Sequence, residues 1–170
     1  MISIKINGLD ELKKKVESQS QSFKSKGQTF LLRLAKEGLN VARAEFSSAQ
    51  YDGTNDVTVM IEIVGKNKVA VVANGQAVAF IEFGTGIHYT EQHPKADEMG
   101  AVRGSYGKGK GNNDSWTYYG ETGTSGTVIK ETDKGTVVKT KGNPPARAMY
   151  DASQKMIEKI QEIAREVFVS

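Results

Sequence analysis

The spacing of apolar residues along the chain switches repeatedly between two and three-to-four, and these switches predict its elements. ISIKI, residues 2–6, alternates apolar with polar, the period of a half-buried strand. After Asn7-Gly8, Leu9, Leu12 and Val16 fall at helical spacing and predict a short amphipathic helix. SQSQSFKSKG, residues 18–27, is polar and small, and reads as a frayed helix end or a linker. From Thr29 the period is clear: Phe30, Leu31, Leu34, Ala35, Leu39, Ala42 and Phe46 line one face of a helix of about five turns. Gly38 lies on that face. A mid-helix glycine costs roughly 1 kcal/mol against alanine, so it predicts close packing against another backbone.

Tyr51-Asp52-Gly53 ends that helix and the period returns to two. VTVMIEIV (57–64) and KVAVVAN (68–74) predict an antiparallel hairpin around Gly65-Lys66-Asn67. AVAFIEFG (77–84) is a third apolar run, for which length and flanking glycines favour an extended or mixed conformation. The chain then changes character. Ten of its 18 glycines fall in residues 84–126, interleaved with Tyr89, Tyr106, Trp116, Tyr118 and Tyr119. SYGKGKGNNDS (105–115) cannot bury enough apolar surface to hold one conformation alone, and a loop of this length acts in binding or is disordered. TVIKET and GTVVKT (127–132, 135–140) form a second hairpin. Pro144-Pro145 keeps the next segment extended, with Pro145 suited to a first helical turn. Met149, Met156, Ile157, Ile160, Ile163, Ala164, Val167 and Phe168 then stripe a second long helix, over 145–168.

Helices and hairpins without βαβ alternation predict an α+β fold: a mainly antiparallel sheet covered by two long helices, with 84–126 as an arm. At 170 residues the chain suits one domain, residues 1–170. It has no cysteine, which excludes disulfides and Cys-based metal sites and favours a cytosolic history. The charged N-terminal stretch does not suit a signal peptide, and no run of about 18 apolar residues suits a membrane. Net charge is +3, with the densest basic cluster at Lys13, Lys14 and Lys15, followed by Lys24 and Lys26. A solvated helix face explains it; a polyanion site is the sharper alternative.

Candidate chemistry is sparse. Gly84-Thr85-Gly86 follows an apolar run, but the third glycine of a dinucleotide fingerprint would fall at Tyr89, and no helix pattern follows. GKGKG (107–111) lacks the Gly-Lys-Ser/Thr end of a P-loop. His88, Glu91 and His93 could ligate a metal, though not at the i, i+4 spacing a helix presents to zinc; solvated histidines are the simpler expectation. No nucleophile, base and orienting group come together, so no catalytic residue, metal or cofactor is assigned. The aromatics among the glycines could stack on single-stranded nucleic acid; anchoring the segment on a neighbouring protein suits them better.

AVAFIEFGTG at 77–86, His93-Pro94, WTYYG at 116–120 and GNPPARAMYDA at 142–152 together resemble the tail-completion or head–tail joining (neck) proteins of long-tailed, non-contractile bacteriophages. The similarity runs from about residue 28 onward; many members carry Pro-Phe-Leu where this chain has Pro145-Ala146-Arg147-Ala148-Met149. The resemblance implies a non-enzymatic α+β virion subunit, assembled in the host cytoplasm into a ring of six at the head-proximal end of the tail. Its implied partners are the connector or head-closure proteins and the tail tube or tail terminator. DNA would pass through the lumen without sequence-specific binding. On this basis Gly84, Thr85 and Gly86 form the hinge of the arm, based on Phe80, Ile81 and Phe83. Tyr89, Tyr106, Trp116, Tyr118 and Tyr119 are the candidate inter-subunit contacts. Valine at 84 and 86 would then abolish the ring and leave a folded monomer. The alternative is a nucleic-acid-binding protein using the Lys-rich helix and the aromatic arm.

Overall fold

A computed structural model describes residues 9–49, 51, 53–89, 92–123 and 125–169. The strand expected at 2–6 lies outside the described residues. The fold is α+β with antiparallel sheets and a long N-terminal helix. Its order is α1 (Leu9–Ser48), β1 (Thr58–Ile63), β2 (Val69–Asn74), α2 (Val78–Phe83), β3 (Trp116–Tyr119), β4 (Thr127–Thr132), β5 (Gly135–Thr140) and α3 (Ala148–Phe168).

α1 is one unbroken helix of 40 residues, so the break expected at 18–27 does not occur. The glutamines there are good helix formers and the serines mediocre ones, each serine costing only a few tenths of a kcal/mol. Extending a helix already nucleated and packed at 30–46 is easier than starting one. Gly38 faces Met156 of α3, whose sulfur would lie 2.8 Å from an added Cβ. Its near neighbour is therefore a flexible side chain rather than a second backbone. Around Gly27 an added Cβ meets nothing within 4 Å. Gly27→Ala is accordingly expected to raise stability by about 1 kcal/mol. A thermal melt checks this: a gain of roughly 2–4 °C is expected at this chain length, and a fall would show position 27 to be sterically occupied.

The β-strands form two sheets, β1–β2 and β3–β5–β4, all antiparallel, in place of the single sheet expected. The principal helix–strand contacts are those of α1 with β1 and β2. There Arg43 donates to the Val59 carbonyl through Nε at 3.1 Å and through a terminal nitrogen at 2.9 Å. α1 and α3 pack along one another, and the buried core is built from Ala42 and Phe46 of α1, Val59, Ala77, Ile81, and Ala148 and Ala152 of α3. Small residues at 42, 148 and 152 let the helices approach closely while Phe46 fills the space beneath them.

The third apolar run is helical rather than extended. A short run that is apolar but for Glu82 carries no periodicity that separates strand from helix, so the tertiary setting decides. Here the Asp56 carboxylate accepts from Gln76 N (2.8 Å) and Ala77 N (2.9 Å) and holds the entry to α2. The Ala77 bond, then the Gln76 bond, keep the Asp56 carboxyl below the usual carboxylate range. The segment 84–126 is not structureless throughout: Trp116–Tyr119 forms β3 and pairs with β5, Trp116 opposite Thr140 and Tyr118 opposite Val138. Pro145 lies outside the last helix, which starts at Ala148 after Arg147 in the left-handed conformation (φ 59°). The N–H groups of Ala146 and Arg147 are committed to the carbonyls of Ile81 (2.8 Å) and Glu82 (3.2 Å). They serve the C-terminal end of α2 rather than opening α3 early.

Candidate functional site: the junction of residues 80–93 with 141–150

α2 and the glycines after it lie against the segment that leads into α3. Thr85 N donates to the Asn143 carbonyl, and Asn143 N donates to Thr85 Oγ1, each at 2.8 Å. The two strands of chain cross so closely that a Cβ on Gly142 would sit 2.0 Å from the Thr85 oxygen, and one on Gly86 would sit 2.2 Å from the Lys141 oxygen. Gly84 (φ 80°) and Gly86 (φ 79°) both occupy the left-handed region. The expected chain reversal is thus a tight crossing of two segments, both of its glycines being required by space as well as by conformation.

Beside the crossing is Glu82, buried to 5% exposure on α2. Its carboxylate accepts from Met149 N (2.8 Å), Tyr150 N (3.0 Å) and His93 Nε2 (3.1 Å). α3 has no side-chain cap of its own at Arg147. Glu82, 67 residues earlier in the chain, satisfies its first orphan donors, and the negative charge suits the positive end of the helix dipole. His93 is also buried, contrary to the solvated state expected of it. Its Nδ1 accepts from Lys95 N at 3.0 Å, which leaves the proton on Nε2 for Glu82. The imidazole meets the rings of Phe83 and Tyr150 edge-on, with centroids 4.6 and 5.7 Å apart. Both carboxylate oxygens of Glu82 and both ring nitrogens of His93 are engaged within the fold. Its role is to fasten the start of α3.

His88 is elsewhere and exposed, 3.0 Å from Asp114. Glu91 lies outside the described residues. Among the described residues no three His, Asp or Glu side chains converge as a metal site would require.

The aromatic candidates divide. Tyr106 turns inward, donates to the Gly84 carbonyl at 2.6 Å, and packs against Phe80 and Phe83. Together with Tyr51, Phe80, Trp116 and the glycine stretch 104–111 it encloses a cavity of about 370 Å³. Tyr118 donates to the Glu121 carbonyl at 2.5 Å, Tyr89 meets the ring of His88, and Tyr119 stands 59% exposed. Of the five, Tyr119 offers the freest aromatic surface, whereas Tyr106 belongs to the body.

Burial pushes the Tyr106 phenol up to about 12. The folded chain keeps this proton while the unfolded chain loses it above about 10, so stability falls as pH rises from about 10 to about 12. Tyrosinate absorbance should show one of the six tyrosines titrating late, and Tyr106→Phe should remove both that component and that part of the alkaline decline. Titration of all tyrosines together would contradict the burial argument.

Sequence reasoning did not single out Glu82 or Asn143. The available signal for Glu82 was a lone carboxylate inside the run VAFIEF, where the pattern calls for burial on all sides. Among the described residues no helix is long and apolar enough to cross a membrane. No protein-family model matches the chain, and no curated protein or solved structure matches it.

Proposed function

We propose that the chain is a non-enzymatic phage virion subunit of the tail-completion or head–tail joining kind. In this reading it forms a homo-oligomeric ring, of six copies, at the head-proximal end of a long non-contractile tail. The ring docks to connector or head-closure proteins on one side and to the tail tube or terminator on the other, and DNA passes through its lumen. α1 and α3 supply the rigid body, and the 84–126 excursion is the part that grips neighbours, with Tyr119 its leading contact.

One observation carries the reading. The segments on which the resemblance rests are far apart in sequence, yet they join at one place: Glu82 with His93, Met149 and Tyr150, and Thr85 with Asn143, with Trp116 on the cavity beside Thr85 and Gly86. A pattern spread over these positions is what a shared architecture would leave, and Glu82 and His93 there are both engaged in holding the start of α3. Function is argued from sites, and this site is a structural fastening.

The test is the solution mass of the purified full chain, by light scattering, with electron micrographs of the species found. Multiples of 18.5 kDa that image as closed rings are expected, and a monomer at all concentrations would overturn the proposal. A second reading, nucleic-acid binding, is favoured by one feature: Lys13, Lys14 and Lys15 are exposed on α1. DNA affinity that falls steeply with salt would support it, since phosphate contacts release counterions.

A further inference from the structure

The cavity beside the crossing is built from groups that the fastening of α3 does not use. Tyr51 and Phe80 lie nearly parallel with ring centroids 6.2 Å apart, and Phe80 meets Tyr106 at 5.7 Å. These three rings make a continuous aromatic wall. The Tyr106 hydroxyl is engaged by the Gly84 carbonyl, so Tyr106 serves the cavity as ring surface. Trp116 also lines the space and stacks on no ring among the described residues.

The glycine loop closes the cavity. Gly107 lies against the Phe80 ring, where an added Cβ would come within 3.2 Å. Arg103 pins the far end of the loop, its Nε donating to the Gly111 carbonyl at 2.9 Å. A stretch unable to hold one conformation by itself is thus held from outside. Lys110 takes the left-handed conformation at φ 46°, which disfavours a residue with a Cβ and is the kind of backbone strain found at ligand sites.

The charge around the cavity has one sign. Lys108 and Lys110 line it, remain exposed, and make no ion pair among the described residues. No carboxylate is among its lining residues; Asp114, adjacent to Asn113 in the chain, is held by His88 at 3.0 Å. Asn113 adds an amide that both donates and accepts. Rings of this kind take a flat unsaturated ring by stacking, and two ammonium groups without a competing acid take an anion. At about 370 Å³ the space is near the lower end of the small-molecule range, which suits a single ring-plus-phosphate unit.

We propose that this cavity binds a mononucleotide unit, with its base against Trp116 and the Phe80–Tyr106 wall and its phosphate at Lys108 and Lys110. A free nucleotide and the end of a single strand share this chemistry. The absence of a P-loop or dinucleotide fingerprint is consistent with it, because rings and point charges do the recognising here in place of a helix N-terminus. The site is distinct from Lys13, Lys14 and Lys15 on α1 and from Tyr119, and it does not depend on the ring reading above.

Trp116 is the single tryptophan of the chain, so its fluorescence reports on the cavity directly. Titrating the full chain with dTMP should quench it saturably, with a Kd of roughly 0.1 mM. Thymidine and inorganic phosphate, each offering part of the unit, should bind roughly tenfold more weakly or worse. A 5′-phosphorylated oligothymidylate separates the sources: binding at least as tight as dTMP identifies a strand end, and weaker binding a free nucleotide. Lys108→Gln with Lys110→Asn alters two exposed positions, and asparagine tolerates the left-handed conformation. This variant should keep the wild-type melting temperature, lose about tenfold in dTMP affinity, and bind thymidine unchanged. Trp116→Leu, followed by calorimetry, should weaken dTMP and thymidine alike; if it does not fold, the lysine variant and the thymidine comparison decide. Three results overturn the proposal: neither dTMP nor the oligonucleotide binds at millimolar concentration, phosphate binds as tightly as dTMP, or dTMP binding is indifferent to either substitution. None of them alters the solution mass by which the ring is judged.

Discussion

Replacing Glu82 with alanine is expected to destabilise the fold by about 3 kcal/mol, because removing a buried acceptor leaves the buried donors that bond to it unsatisfied. At this chain length that lowers the melting temperature by roughly 6–12 °C. Three donors lose their acceptor at once: Met149 N, Tyr150 N and His93 Nε2. The two backbone groups belong to the first turn of α3, where no other side chain caps them. Glu82→Gln should cost less than alanine, since it keeps the volume and one acceptor but turns an amide N–H₂ towards backbone donors. The exposed Lys155–Glu158 pair is a fair control, as breaking it should change stability by less than about 1 kcal/mol. A Glu82→Ala protein that melts with the wild type would mean that α3 does not depend on this carboxylate.

Alanine at Gly142 or Gly86 is expected to be worse, costing about 4 kcal/mol or more, in the range reserved for gross steric or buried-charge errors. Both Cβ atoms would lie within 2.2 Å of a backbone oxygen, and neither neighbour is a side chain that could swing aside. Gly84 is little better placed, with the Asn143 oxygen 2.7 Å from its would-be Cβ. The expectation that valine at 84 and 86 spares the monomer therefore gives way to its opposite: the chain should fail to fold before assembly is in question. Gly65→Ala separates the two causes, since Gly65 shares the left-handed conformation (φ 75°) but has nothing within 4 Å. It should lose only the conformational penalty, about 1–2 kcal/mol. Comparable denaturant midpoints for Gly65→Ala and Gly142→Ala would exclude the crossing as the cause.

The parts of this fold that were legible in the sequence are those governed by local period. The stripe from Phe30 to Phe46 and that from Met149 to Phe168 lie on helices, and the two hairpins fall where the alternation and the turns put them. Where the deciding contact is remote, the sequence was silent. Nothing within VAFIEF says that it will be helical, because Asp56 and the N–H groups of Ala146 and Arg147 supply that answer from 20 or more residues away. His93 looks like any loop histidine until Glu82 and Phe83 surround it. The glycines at 84, 86 and 142 could be read as permissive of unusual torsion angles. Their mutual approach, the stronger constraint, exists only in three dimensions.

The crossing at Gly86 and Gly142 has a consequence for how such a chain can vary. It ties the two ends of residues 87–141 together at one point, so the exposed turns of that stretch, away from His93 and Tyr106, can change length with little effect on the rest. Doubling a flexible loop costs only about 0.6 kcal/mol once its ends are fixed. Insertions or deletions in its exposed turns should therefore be tolerated as long as the clasp, His93 and Tyr106 are kept, which would let one scaffold acquire new attachment preferences without relearning how to fold.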